Sequence, residues 1–357
     1  MKIIEKLKNM SFLASIVYSI LAISFALIIG AVLIFLSGHN VINAYYNLFY
    51  GAFGNTYNLS QTLLKTIPLI FTGLAVAVSF QCGLFNIGGE GQLYWGAFAT
   101  AITAITFSSL PGLILIPLSL LVGAVAGGIW GIFPGYLKAK TGAHEVITTI
   151  MLNYIGILGT TFLLKNFFKA DGPVDQTVLI PESTRLKELI PYSRLTWAIF
   201  IAIFTVALID FFFKKTSAGY DMQAVGQNIS AAEYAGISTN RVLVMSMCLS
   251  GAVAGLTGST MVLGVLHRFI TNFSPGYGFT GIAVAVLGRN KPWGVFLAAL
   301  LFGALEAGGM SMQLFAKIPS DLMTVVQGLV IIFVAAPAFI QVIAKLVPVR
   351  RGAEQNG

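Results

Sequence analysis

LASIVYSILAISFALIIGAVLIFLS, residues 13–37, decides the fold class. The run contains no charged residue. At about 1.5 Å rise per residue it crosses roughly 30 Å of hydrocarbon with some tilt. Lys2, Lys6 and Lys8 precede it. It far exceeds the roughly 7–15 residues of a secretory signal core, and no small-x-small cleavage site follows cleanly, so it reads as a retained span. The rest of the chain has the same character. Apolar residues make up 57% and charged residues 10%, against roughly a quarter charged in soluble domains. A soluble fold of 357 residues would need more polar surface.

Working outward, apolar runs of about twenty residues recur near 62–80, 86–107, 111–134, 146–164, 196–213, 242–264, 293–315 and 322–346. The stretch 279–288 is apolar but only half a membrane thick. Gly278 and Gly288 flank it, and it reads as a broken helix buried in the bundle. These spacings predict an all-α polytopic membrane protein of about ten transmembrane helices, with a broken eighth segment. We expect one transmembrane domain over 1–357, with an outer loop near 165–195 and an inner loop near 214–241.

Charge sets the orientation. The 21 Lys and Arg residues sort by loop into an inner group, such as Lys138, Lys140, Lys214, Lys215, Arg289 and Lys291, and a smaller outer group. Most of the outer group belongs to the single long loop 165–195, which also carries Asp171, Asp175, Glu182 and Glu188. Short loops govern insertion, and theirs are strongly biased, so both termini are expected in the cytoplasm. The net charge of +8 follows this membrane pattern and does not indicate nucleic acid. Cys82 and Cys248 lie in apolar stretches and suggest buried thiols. His39, His144 and His267 are too scattered for a metal site or a catalytic triad. Residues 255–260, GLTGST, lack the Lys of a phosphate-binding loop, so the chain is not expected to bind ATP itself. No catalytic residue and no metal site are expected.

Three segments can carry function. The inner loop reads SAGYDMQAVGQNISAAEYAGIST over 217–239. It predicts a short helix over 230–235, with Ser230 as N-cap, Glu233 completing a capping box and Gly236 as the stop. Ala224, Ala231, Ala232 and Ala235 are small enough to lie in the groove of another protein, as a lever would, and Gly226, Asn228, Ala231, Ala232, Ala235 and Gly236 are the candidate coupling contacts; an ordinary amphipathic connector is the plainer reading. Residues 81–92, QCGLFNIGGEGQ, combine four glycines with Glu90 at the start of an apolar helix. A carboxylate at membrane depth costs roughly 3 kcal/mol or more and so faces the bundle or a cavity, or else holds the helix end in place. In 138–154, KAKTGAHEVITTIMLNY, Glu145 suits a helix N-terminus. Asn153 either bonds helices together or lines a passage, and Thr148 and Thr149 can bond their own backbone.

Taken together, these segments resemble the permease family that serves simple-sugar, nucleoside and branched-chain amino-acid ABC importers. FNIGGEGQ at 85–92 is similar to the family's segment after its second span. GYDMQAVGQNISAAEYAGI at 219–237 resembles its cytoplasmic coupling loop, although Gln223 stands where Arg is more usual. GFTGIAVAVLG at 278–288 is similar to its broken penultimate region. KAKTGAHEVITTIMLNYI at 138–155 most resembles the nucleoside branch, whose larger permease also has a long outer loop. The resemblance implies a multi-pass subunit of the bacterial plasma (inner) membrane, surrounded by lipid. Its implied partners are a cytoplasmic ABC ATPase that holds ATP and Mg, a second permease paralogue, and an extracytoplasmic substrate-binding protein, often a lipoprotein. No cofactor is implied in this chain. A nucleoside passage combines aromatic faces with hydrogen-bonding groups. The candidates are Asn86, Glu90, Gln92, Trp95, Asn153 and Phe279. Alternatives are a sugar or branched-chain amino-acid permease of the same family, an ATP-independent channel or secondary carrier, and a membrane scaffold.

Overall fold

The computed structural model describes residues 12–335. The helices are α1 (Phe12–Leu36), α2 (Val41–Phe53), α3 (Thr56–Gln81), α4 (Gly89–Thr106), α5 (Gly112–Thr141), α6 (Glu145–Leu163) and α7 (Ala198–Lys215). They continue with α8 (Ser217–Gln227), α9 (Ile229–Tyr234), α10 (Thr239–Met261), α11 (Tyr277–Leu287), α12 (Pro292–Ala316) and α13 (Ser320–Ala335). Short π-helical turns extend α6 to Phe168 and α10 to Leu266. Among the described residues, extended pairing is confined to two isolated antiparallel bridges, Gln176 with Ile270 and Glu188 with Thr196.

Each expected span coincides with a helix. α3, α5, α12 and the extended α6 and α10 are individually long and apolar enough to cross a membrane. The broken eighth segment is α11, only 11 residues long. The continuation of the tenth span from 336 to 346 lies outside the described residues. Two helices were not expected. α2 is too short and too polar for a twenty-residue criterion, with Asn43 and Asn47 in its first two turns; Asn47 Nδ2 donates to the Asn43 carbonyl at 2.8 Å. α8 fills what reads in the sequence as loop, and Thr216 caps it by accepting from the Gly219 amide at 3.1 Å.

The chain forms two compact units, Met1–Phe49 with Gly309–Gly357, and Tyr50–Gly308. In the first, α1 packs on α13, with Phe25 edge-on to Phe333 at 4.9 Å. The second unit holds every candidate residue. Its centre is α3, buried from Thr66 through Ser79, with α11 and α10 beside it. α5 lies against α10 along Gly123, Gly127, Gly131 and Gly135, a four-residue repeat that leaves one helix face bare. A Cβ on Gly127 would stand 2.4 Å from the Gly251 carbonyl, and one on Gly255 2.4 Å from the Gly123 carbonyl. Backbones this close gain dispersion contacts that bulkier side chains would prevent.

The outer helices are apolar on their exposed sides. α6 presents Ile147, Met151, Tyr154, Leu158 and Phe162, and α7 presents Phe200, Phe204, Leu208 and Phe211. Residues three and four apart share one helix face, so these are continuous apolar stripes. Water would penalise them heavily, and hydrocarbon would not. The chain is a multi-pass membrane protein.

Candidate functional site

The segment between α3 and α4 is fixed by side chains from several directions. Asn86 is completely buried. Its Nδ2 donates to Ser250 Oγ on α10 at 2.8 Å and to Gln92 Oε1 at 3.0 Å. Its Oδ1 accepts from the Gly88 amide at 2.8 Å. Ser250 in turn donates to the Ala75 carbonyl of α3. From α6, Asn153 Oδ1 accepts from the Gly91 amide at 2.7 Å and its Nδ2 donates to the Ile87 carbonyl at 2.9 Å. Glu90 Oε2 accepts from the Gly278 amide at 2.7 Å. That amide lies in the first turn of α11, so the carboxylate faces the positive end of the half-helix dipole. Polar groups of α3, α4, α6, α10 and α11 therefore meet at one joint, with their hydrogen-bonding capacity used by the protein, as burial demands.

The six residues expected to line a passage divide accordingly. Asn86, Gln92, Asn153 and Glu90 belong to the joint, where Asn86 and Gln92 touch directly. Trp95 lies apart, on the side of α4 that meets α5 and α6, with its ring 5.0 Å from that of Trp130; its buried Nε1 has no hydrogen-bond partner among the described residues. Phe279 directly follows the Gly278 that binds Glu90, yet its ring is 50% exposed. Of the six, Phe279 is the one whose side chain stands substantially open.

At the end of the unit marked by Gln81 and Lys138, α8 and α9 form a bent arm. Met222 and Val225 anchor α8 in the core. Asn228 ends α8 and caps α9, its Oδ1 accepting from the Ala231 amide at 3.0 Å. The cap is thus Asn228 and not Ser230, two residues earlier than expected. Glu233 is not spent on a capping box and accepts instead from Thr239 Oγ1 at 2.8 Å. Gly236 stops the helix as expected, with φ of 86°. Ala231, Ala235 and Gly236 are exposed. Ala232, grouped with them in the sequence, turns inward and is 3% exposed; it seats the arm on its own chain and offers no surface. Gln223 Nε2 reaches the Phe213 carbonyl at 3.5 Å.

The arm is in register with the joint. A Cβ on Gly226 would lie 2.2 Å from the Gln81 carbonyl, and one on Gly83 would lie 3.3 Å from Gly226 Cα. Gly83 also has φ of 73°, a conformation that favours glycine. Backbone therefore presses on backbone where α3 ends and the segment leading to Asn86 begins. A cavity of about 340 Å³ opens beside this contact, lined among others by Cys82, Gly83, Lys138, Gly226, Asn228 and Leu243.

Residues 58–335 match the family described as branched-chain amino acid transport system / permease component. The chain belongs to this permease family. It is 39% identical over 330 residues to the guanosine ABC transporter permease protein NupP of Bacillus subtilis (strain 168), covering 91% of this chain and 94% of that one. It is 38% identical over 351 residues to the nucleoside ABC transporter permease protein NupB of Lactococcus lactis subsp. cremoris (strain MG1363), covering 95% and 96%. The glucose ABC transporter permease protein TsgB13 of Haloferax volcanii is 34% identical over 337 residues, covering 90% and 87%.

Two features of this permease escape sequence reasoning. Lys65 and Glu306 form an ion pair, Nζ to Oε1 at 2.9 Å, although 241 positions separate them. The signal the sequence holds is a charge inside each of the apolar runs 62–80 and 293–315. The second feature is Tyr234, 94% exposed at the tip of the arm; the sequence draws attention to the small residues around it.

Proposed function

We propose that this permease is the larger translocation subunit of an ATP-driven importer, and that its cargo is a nucleoside. The observation that carries the reading is identity of 38–39% over more than nine-tenths of the chain to permeases named for guanosine and nucleosides. The subunit is not itself catalytic in this reading. A cytoplasmic ABC ATPase holds ATP and Mg, a second permease completes the pathway, and an extracytoplasmic binding protein delivers substrate. Both termini and the α8–α9 arm face the cytoplasm, in keeping with the Lys and Arg bias of the short loops.

The arm's geometry supports a mechanical role. The exposed face near Ala231, Tyr234 and Ala235 docks on the ATPase. Movement there passes through Gly226 to the Gln81–Gly83 backbone, because packed atoms at these distances cannot absorb a displacement. It reaches the end of α3 and the joint at Asn86, where α11 meets Glu90. The substrate must favour one of the two resulting arrangements for transport to be coupled. Uptake of labelled guanosine by the assembled importer is the test. Adenosine and uridine should compete, and free ribose or galactose should compete poorly. Uptake blocked by ribose or galactose and indifferent to nucleosides would overturn the cargo assignment. It would leave a sugar permease, the second reading, which the 34% identity to a glucose permease favours.

A further inference from the structure

Lys65 and Glu306 occupy an unusual position. Lys65 is nine residues from the start of the 26-residue α3, and Glu306 is ten residues from the end of the 25-residue α12. At 1.5 Å per residue each charge lies roughly 14–15 Å from the helix end beyond it. Both helices are apolar enough to span a membrane. The other ion pairs among the described residues have at least one partner in a loop or within the terminal turns of a helix. A charged pair at this depth is costly unless it meets a cavity or a partner. The helices come together closely beside it: a Cβ on Gly303 would stand 2.2 Å from Thr66 Oγ1.

The pair is not closed off. Its side chains keep 24% and 27% of their surface open, although α12 is buried at residues 302–305 and 307–309. Lys65 carries three donor protons and makes one hydrogen bond, to Glu306 Oε1. Among the described residues its other two protons and Glu306 Oε2 have no hydrogen-bond partner. A carboxylate and an ammonium side by side, each with capacity to spare, suit a group whose neighbouring atoms both donate and accept. A vicinal diol is such a group: one hydroxyl donates to Glu306 and the other accepts from Lys65.

We propose that Lys65 and Glu306 form a mid-membrane substrate contact that recognises the cis-diol of the permeating ribonucleoside. This rests on the nucleoside reading above. The diol is chosen over the base because the spare groups are one anion and one cation rather than a flat polar edge. The pair thereby discriminates at the permease, after the binding protein has made its own selection.

The experiment compares turnover of guanosine and 2′,3′-dideoxyguanosine at saturating concentrations by the complete importer, with the same binding protein throughout. The wild type should turn over guanosine faster. Glu306→Gln and the double variant Lys65→Met/Glu306→Leu should lower the ratio by about tenfold, the loss expected for one hydrogen bond to a charged group. The double variant removes both charges together, a replacement that folded proteins commonly tolerate, and size-exclusion of the complex checks that it assembles. An unchanged ratio overturns the proposal. So does equal turnover of the two substrates by the wild type, or a double variant that fails to assemble while Glu306→Gln keeps the wild-type ratio; that last result assigns the pair to holding subunits or helices together. If the wild type carries a sugar and no nucleoside, the cargo reading fails. The diol contact is then judged by the same ratio, measured with that sugar and its deoxy analogue.

Discussion

At the scale of single residues, the joint behind α4 uses polar side chains to replace backbone partners that water cannot supply in a membrane. Asn153 is the clearest case, because one amide satisfies the Gly91 amide and the Ile87 carbonyl. Asn153→Leu keeps the volume and strands both groups. The expected cost is roughly 2 kcal/mol or more, read as a fall of several degrees in the melting temperature of detergent-purified permease; an unchanged melting temperature would remove Asn153 from the joint. Glu90 separates two roles. Glu90→Gln retains an acceptor for the Gly278 amide and removes the charge facing the α11 dipole. Normal amounts of folded protein with reduced uptake are expected. Loss of folded protein would show instead that the charge holds α11 in place.

Elements behave as levers and clamps because of where small residues let backbones meet. Gly226→Ala would drive a methyl group into the Gln81 carbonyl, an overpacking that costs about 1–3 kcal/mol. The arm must shift, so the assembled importer should hydrolyse more ATP per nucleoside carried, whereas Ser183→Ala, at an exposed site far from the arm, should not. An unaltered ratio in Gly226→Ala would detach the arm from the coupling path. The loop over 165–195 is clamped differently. Asp175 bonds Lys169 and Lys165 at 2.8 and 2.9 Å, while its carbonyl accepts from the Thr271 amide at 3.1 Å. The two ammonium groups hold its carboxyl below the ordinary carboxylate range. A depressed folded-state pKa gives stabilisation that is complete above the unfolded value, about 4, and lost as pH falls through the folded one. Protease cleavage within 170–180 should therefore be flat from pH 7 to pH 5 and rise only in stronger acid. Asp175→Asn should abolish that acid response.

For the whole molecule the two ends of the Tyr50–Gly308 unit are distinct. Gln81, Lys138, the α8–α9 arm and Asn290 gather at one end, where Gln81 Nε2 donates to the Asn290 carbonyl at 2.8 Å. The 165–195 loop gathers at the other, where the Ile180 amide donates to the His267 carbonyl and Gln61 Nε2 to the Ser193 carbonyl, both at 2.9 Å. Ser183 and Ser230 are exposed on these opposite ends. In a background lacking the native cysteines, cysteine at 183 should react with an impermeant reagent added outside intact cells. Cysteine at 230 should react only after the membrane is opened. The reverse pattern would invert the orientation.

What the sequence determined by itself follows from bilayer thickness. A span must be about twenty apolar residues or be sheltered by others, so α1, α3–α7 and α10–α13 were legible as runs, and α11 as a run too short to cross alone. The stop at Gly236 was legible because helix ends need particular residues. α2 and α8 were not, since their stability comes from packing and capping that no hydropathy window records. The polar residues of 85–92 stood out individually, but composition does not say whether an amide meets water, substrate or backbone. The fold decided that for Asn86, Gln92 and Asn153 by bringing Ser250, Ile87 and Gly91 to them. Ala231 and Ala232 are chemically identical neighbours, and only the tertiary structure turned one outward and the other in. Lys65 and Glu306 show the limit most plainly: pairing across 241 positions is a property of how α3 and α12 pack, and neither helix alone carries it.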